Sequence, residues 1–313
     1  MDHGLALIAT LAWGMTLSLI LGYFATKLRM PALVGYLVAG IAIAPTTPGF
    51  VGDIELASEL SEVGVMLLMF GVGLHFSVRD LMRVKNLAVP GALLQMGFAT
   101  IIGTSISYFF WDWTLVSAFL LGLSLSCAST VVLLKSLDSR GSLETGEGQV
   151  AVGWLVVEDI ITVFLLVILP SIASIATSGE GLSIDLAYAV LKTFIFIATF
   201  IFLMLFVVKK ALTWVLLRAV QTGSHEIFTL CVVAIAIGIA YAASQVFNVS
   251  FALGAFFAGM VLRESEYAHR AATDSLPLQD AFAVIFFLGV GMLFDPQILI
   301  QEPMKVLCVV GII

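Results

Sequence analysis

Two adjacent carboxylates, Glu158 and Asp159, stand in the middle of an otherwise apolar stretch, Val150 to Ile172, long enough to cross a bilayer as one helix. Inserting an ionised carboxylate at mid-bilayer costs about 2.5–3.5 kcal/mol or more, so such groups mark ion pathways or buried ion pairs. Every Lys and Arg of the chain falls in a loop or near a span end, which leaves no cationic partner at that depth. The pair is therefore a candidate site for a proton or a cation, either of which neutralises a carboxylate withdrawn from water. If the group faces each side in turn and the protein moves only when it is occupied, competition for it drives two opposed fluxes. Adjacent helix positions point about 100° apart, so the two carboxylates cannot line one cavity equally, and their helical neighbours do not decide between them.

The preceding span carries a second polar cluster. Its centre reads LSLSCAST and places Ser124, Ser126, Ser129 and Thr130 among small residues, where a helix can break and offer carbonyl and hydroxyl oxygens to a bare cation. Such hydroxyls also bond carbonyls one turn back and allow close helix packing, and both readings stay open on the residues alone.

The elements that must hold these groups are membrane helices. With 61% hydrophobic residues, 11% charged and a mean hydropathy of +1.12, the chain is no soluble domain but an all-α polytopic membrane protein. Cys127, Cys231 and Cys308 lie in apolar segments without a CxxC pattern and read as packing residues, not disulfides or metal ligands. The apolar run after Met1 is too long, and lacks the basic lead-in, for a cleavable signal; it reads as a first span.

Judged against the ~20 residues a helix needs to cross, hydropathy gives about eleven spans. They are Leu5–Thr26, Pro31–Ala44, Leu60–Phe76, Leu87–Phe110, Trp113–Leu134, Val150–Ile172, Leu186–Val208, Ile227–Phe247, Val249–Leu262, Ala281–Phe294 and Met304 onward. Lys209 to Glu226 mixes Leu, Trp and Val with basic residues, as a helix lying at the membrane surface does. Lys27, Arg29, Arg79, Arg83, Lys85, Lys135, Arg140, Lys209, Lys210, Arg218, Arg263 and Arg270 all occupy alternate loops. Those loops are expected to be cytoplasmic, with the N-terminus outside; only Lys192 and Lys305 stand apart.

The chain also repeats itself. GYLVAG at Gly35 matches GAFFAG at Gly254 at an offset of 219, and FGVGLHF at Phe70 matches LGVGMLF at Leu288 at 218, with Glu62 falling on Asp280. A constant offset across separate motifs argues for a duplicated unit, and the odd number of spans between the copies turns the second upside down. The expected division is a first inverted repeat over 1–174, a linker span and surface helix over 175–224, and a partial second repeat over 225–313. Counterparts of Leu87–Ile172 fall at about 305–390 by that offset, so the second copy is expected to be incomplete.

The stretches GYLVAG, MFGVGLHFSVRDL, CASTVVLL, GWLVVEDI and SFALGAFFAGMVLRESEYAHR resemble the Kef-type potassium/proton antiporters of the second monovalent cation:proton antiporter branch, most closely their YbaL-like group. The resemblance implies a thirteen-span, inverted-repeat sodium/proton-antiporter-like fold with about eleven spans present here. It implies a transport carboxylate at Asp159 beside Glu158, a broken-span pair at Ser129 and Thr130 with Ser126 nearby, and a cytoplasmic regulatory loop of Glu264, Glu266, His269 and Asp274. It further implies a homodimer in a bacterial inner membrane that exchanges potassium or sodium for protons. No cofactor is expected in this chain, nor any enzyme activity or nucleic-acid partner; in the family a nucleotide-binding C-terminal domain follows. The residues alone also admit an ion-coupled organic-anion carrier or a passive channel.

The topology predicts that a single Cys placed at Gly179 reacts with an impermeant thiol reagent from outside, and one at Ser139 only after the membrane is opened. The reverse pattern would overturn both the orientation and the inversion argument.

Overall fold

A computed structural model describes residues 3–47, 52–178, 184–247 and 249–312, and among them every regular element is a helix. In chain order these are α1 (His3–Lys27), α2 (Ala32–Ala42), α3 (Ile54–Gly73), α4 (Val78–Phe110), α5 (Leu115–Ser126), α6 (Thr130–Ser139) and α7 (Gly146–Ser178). There follow α8 (Ile184–Leu203), α9 (Lys209–Gln221), α10 (His225–Phe247), α11 (Phe251–Arg263), α12 (Ala268–Met292), α13 (Ile298–Gln301) and α14 (Pro303–Ile312). Six described stretches are long and apolar enough to cross a membrane, and four shorter apolar helices accompany them. Gly179 and Glu180, in the loop read as external, lie outside the described residues.

Side-chain caps explain where several helices start. Asp53, Thr114, Ser129 and Ser250 each accept the N–H three residues on, satisfying a donor that the first helical turn leaves free. The fifth span is broken as its small polar centre suggested: α5 stops at Ser126, Cys127 to Ser129 run extended, and α6 begins at Thr130. Other boundaries differ from the sequence reading. α4 starts at Val78, so Arg79, Arg83 and Lys85 lie on a helical end, where long cations reach water from a continuing helix. The expected surface helix does not stand apart: α8 runs through a π-helical stretch, Met204–Val208, directly into α9, whose Leu212, Leu216 and Ala219 are buried. A π turn absorbs one extra residue per turn and so carries the helix on without a break.

Two groups of helices emerge from the packing. α1, α2, α3, α10, α11 and α12 form one, and α4, α5 and α7 with α6 form the other. α3 touches α6 across the divide, and the Lys135 ammonium of α6 pairs with Asp280 of α12 at 2.8 Å.

The first group is a duplicated unit that crosses itself. A Cβ on Gly40 of α2 would collide with the Leu288 carbonyl of α12 and lie 2.8 Å from Gly291 Cα. At the repeat offset, a Cβ on Gly259 of α11 would collide with the Phe70 carbonyl of α3 and lie 3.0 Å from Gly73 Cα. Gly291 and Gly73 are equally crowded from the other side, by the Leu37 and Phe256 carbonyls. The match extends to α3 on α12, where Gly289 abuts the Ser61 hydroxyl and Gly71 abuts the Gln279 carboxamide. Each copy thus packs its small-residue helix on the other copy's long helix, an inverted-repeat fold.

Gly40→Ala and Gly259→Ala should each destabilise the protein by about 1–3 kcal/mol, because the added methyl meets backbone that cannot swing away. Gly97→Ala and Gly238→Ala, where nothing lies within 4 Å, should be neutral or stabilising by up to about 1 kcal/mol. Thermal unfolding in detergent measures both, and equal effects at all four positions would contradict the crossing.

Candidate functional site

The site forms where α7 passes the break between α5 and α6. An extended segment inside an apolar environment frees the last carbonyls of one helix and the first N–H groups of the next, and each needs a partner. α7 supplies one. Glu158 is 1% exposed; its Oε2 accepts the Ala128 N–H at 3.1 Å and its Oε1 accepts the Trp154 indole N–H at 2.9 Å. α4 supplies the other, as the Gln95 carboxamide donates from Nε2 to the Ser126 carbonyl at 3.0 Å.

Asp159 leaves α7 in another direction, as adjacent helical positions must. Its Oδ1 accepts the Thr130 hydroxyl at 3.4 Å, and it is only partly buried. Thr130 is the first residue of α6, so Asp159 lies by the N-terminal end of that half-helix, where peptide dipoles favour negative charge. Ser129 caps the same end, accepting the Val132 N–H at 3.4 Å, and is exposed. Among the described residues neither carboxylate has an ion pair with Lys, Arg or His.

The structure thus brings Glu158, Asp159, Ser129 and Thr130 together at the break. Ser126 sits there by its backbone; its own hydroxyl is buried and donates to the Leu123 carbonyl one turn back, as Ser124 does to Leu120. The loop residues lie elsewhere, on the turn between α11 and α12 and the start of α12. Glu264 pairs with Lys209, Asp274 lies 3.3 Å from His225 and 3.6 Å from Arg270, and Glu266 and His269 are exposed.

Three contributors escaped the sequence reading: Trp154, Gln95 and Thr162, whose hydroxyl is 3.5 Å from the Cys127 thiol in the break. Gln95 had a usable signal, a lone carboxamide within an apolar span. A cavity of about 560 Å³ lies among α4, α6 and α7, lined by Gln95, Ala128, Leu133, Glu147, Trp154 and Glu158 among others. From Glu147 at the start of α7 to Glu158 it extends about 16 Å along the helix. It ends on Glu158 and not on Asp159. Oxygen donors of this kind, carboxylate, hydroxyl and carbonyl, suit a proton or a hard monovalent cation.

The model of the family described as sodium/hydrogen exchanger, transmembrane, matches residues 15–313. The putative cation/proton antiporter YbaL of Escherichia coli is 51% identical over the whole of this chain, which covers 56% of YbaL. The glutathione-regulated potassium-efflux system protein KefC of Salmonella typhimurium is 29% identical over 90% of the chain and 44% of KefC. The chain therefore spans about half the length of these two curated relatives. Among solved structures, the sodium proton antiporter MjNhaP1 of Methanocaldococcus jannaschii matches 99% of this chain and 75% of its own, with a TM-score of 0.58 at 15% identity, a likeness of fold.

Trp154→Phe keeps the ring but removes the N–H that Glu158 accepts, and should cost about 1–3 kcal/mol of stability, the range for a hydrogen bond to a charged group. An unchanged unfolding temperature would show that Glu158 is not held through Trp154.

Proposed function

The chain belongs to the sodium/hydrogen exchanger transmembrane family, among its Kef-type members, and from that premise we propose that it forms the transport unit of a potassium:proton antiporter. The observation that carries this reading is the unequal state of the two carboxylates. Both oxygens of Glu158 are taken up by fixed N–H donors, whereas Asp159 has one hydroxyl partner at 3.4 Å and is partly open. Asp159 is then the group that trades a proton for a cation, and Glu158 is the group that holds the break beside it.

In the cycle, a proton on Asp159 leaves as a dehydrating cation takes its place against the carboxylate and the Thr130 hydroxyl, with the α6 dipole favouring the bare anion between the two occupants. The group holding the break moves relative to the crossed α1–α3 and α10–α12 unit, exposing the site to each side in turn. The 29% identity to a potassium-efflux protein supports potassium; the likeness to a sodium proton antiporter is one of fold and does not carry the choice of ion. On this reading the chain lies in a bacterial inner membrane with its N-terminus outside, works as a homodimer, and receives regulation at the Glu264–Asp274 turn.

Asp159→Asn should abolish potassium-dependent proton movement in everted vesicles without loss of expression, because a carboxamide takes up no proton and so cannot trade one for a cation. Glu158→Gln should be milder, losing one of the two N–H bonds that Glu158 accepts, from Ala128 in the break and from Trp154 on its own helix. Normal exchange by Asp159→Asn would remove Asp159 from the mechanism.

A further inference from the structure

Gln95 holds an unequal position. Its Nε2 is committed to the Ser126 carbonyl, and that bond fixes the carboxamide orientation, since an oxygen placed there would face another oxygen. The orientation leaves Oε1 buried and without a hydrogen-bond partner among the described residues. A buried acceptor of this kind calls for a partner, either water or a ligand that enters beside it. Oε1 belongs to a side chain that lines the same cavity as Glu147, Trp154 and Glu158. That cavity joins an acidic first turn of α7 to the break, and apart from these groups its wall is largely apolar.

We propose that Gln95 is a ligand residue for the transported cation: its free carboxamide oxygen receives the cation, or the water the cation carries, in the cavity that ends at Glu158. This rests on the antiport reading given above. The cation, attracted first by Glu147, exchanges part of its hydration shell for Oε1 before it reaches the break, where Glu158 and the Gln95 anchor hold the two helix ends apart. A neutral oxygen suits this step, because it replaces water without trapping the ion as a further carboxylate would. Gln95 therefore does two things with one group, an N–H that positions the α5 end and an oxygen that meets the substrate.

The test is made on the full chain, in proteoliposomes for transport and in detergent for cation-dependent thermal stabilisation. Gln95→Met, nearly the same shape, should raise the apparent KM for potassium about tenfold and also lower maximal exchange, because the oxygen that meets the cation and the N–H that holds the Ser126 carbonyl are lost together. The rise in unfolding temperature that potassium produces should shrink in parallel. Gln95→Glu gives up the same N–H donor as Gln95→Met but keeps an oxygen at the cavity, so it should bind potassium more tightly than the Met variant; if the Met variant does not fold, loss of potassium stabilisation in the Glu variant would itself count against the proposal. A Met variant with wild-type KM and wild-type potassium stabilisation would overturn the proposal, as would a Glu variant as impaired in binding as the Met one. If the wild type binds potassium but exchanges nothing, the antiport reading fails instead, and the stabilisation measurements still judge Gln95.

Discussion

A bilayer offers no water to a peptide group, so a helix broken within it must find partners for its own freed ends. Much of the arrangement near the break follows from that requirement. The carbonyl side is met by Gln95 from α4 and the N–H side by Glu158 from α7, while Ser129 closes the first turn of α6. α4 and α7 must therefore flank the break, and they pack on each other, with α5 also on α4. The same requirement accounts for a carboxylate as deeply buried as Glu158. Its charge is met by two N–H donors, not by a cation, so it costs less than its position in the sequence suggests.

Asp159 gains from its neighbour's commitment. With Glu158 occupied in holding the backbone, the site keeps one carboxylate with a single hydroxyl partner, near the positive end of a short helix. A break alone would give oxygens without a switchable charge, and a carboxylate alone would give a charge without a shaped site. On the proposed reading, the two together make a place where a small cation sheds water.

The broken span and the paired carboxylates were legible in the sequence because each is an anomaly within one helix: hydroxyls clustered in an apolar run, acids where acids are costly. Trp154 and Gln95 were not identified, since what they bond depends on which helix lies next to which, and no local pattern records that. Basic residues marked the ends of apolar stretches correctly but not the ends of helices. Arg79 and Arg83 continue α4, and Lys209 follows a π turn into α9, because a charged side chain leaves the membrane more easily than a helix stops. Ser126 stands at the break through its carbonyl, which Gln95 holds, while its hydroxyl bonds back to Leu123.

The repeated glycine crossing gives the scaffold nearly the same internal contacts whichever face of the membrane it is viewed from. Such a frame has little reason of its own to rest open to one side, so the energies of its two end states start close to level. Any resting bias must then come from residues at which the copies differ. Asp280 is one such place: it holds Lys135 of α6, while its repeat mate Glu62 forms no ion pair among the described residues. That ionic tie acts from the middle of α12 on one copy alone, and it tilts an otherwise balanced frame towards the state in which it is made, to a degree that ionic strength should tune.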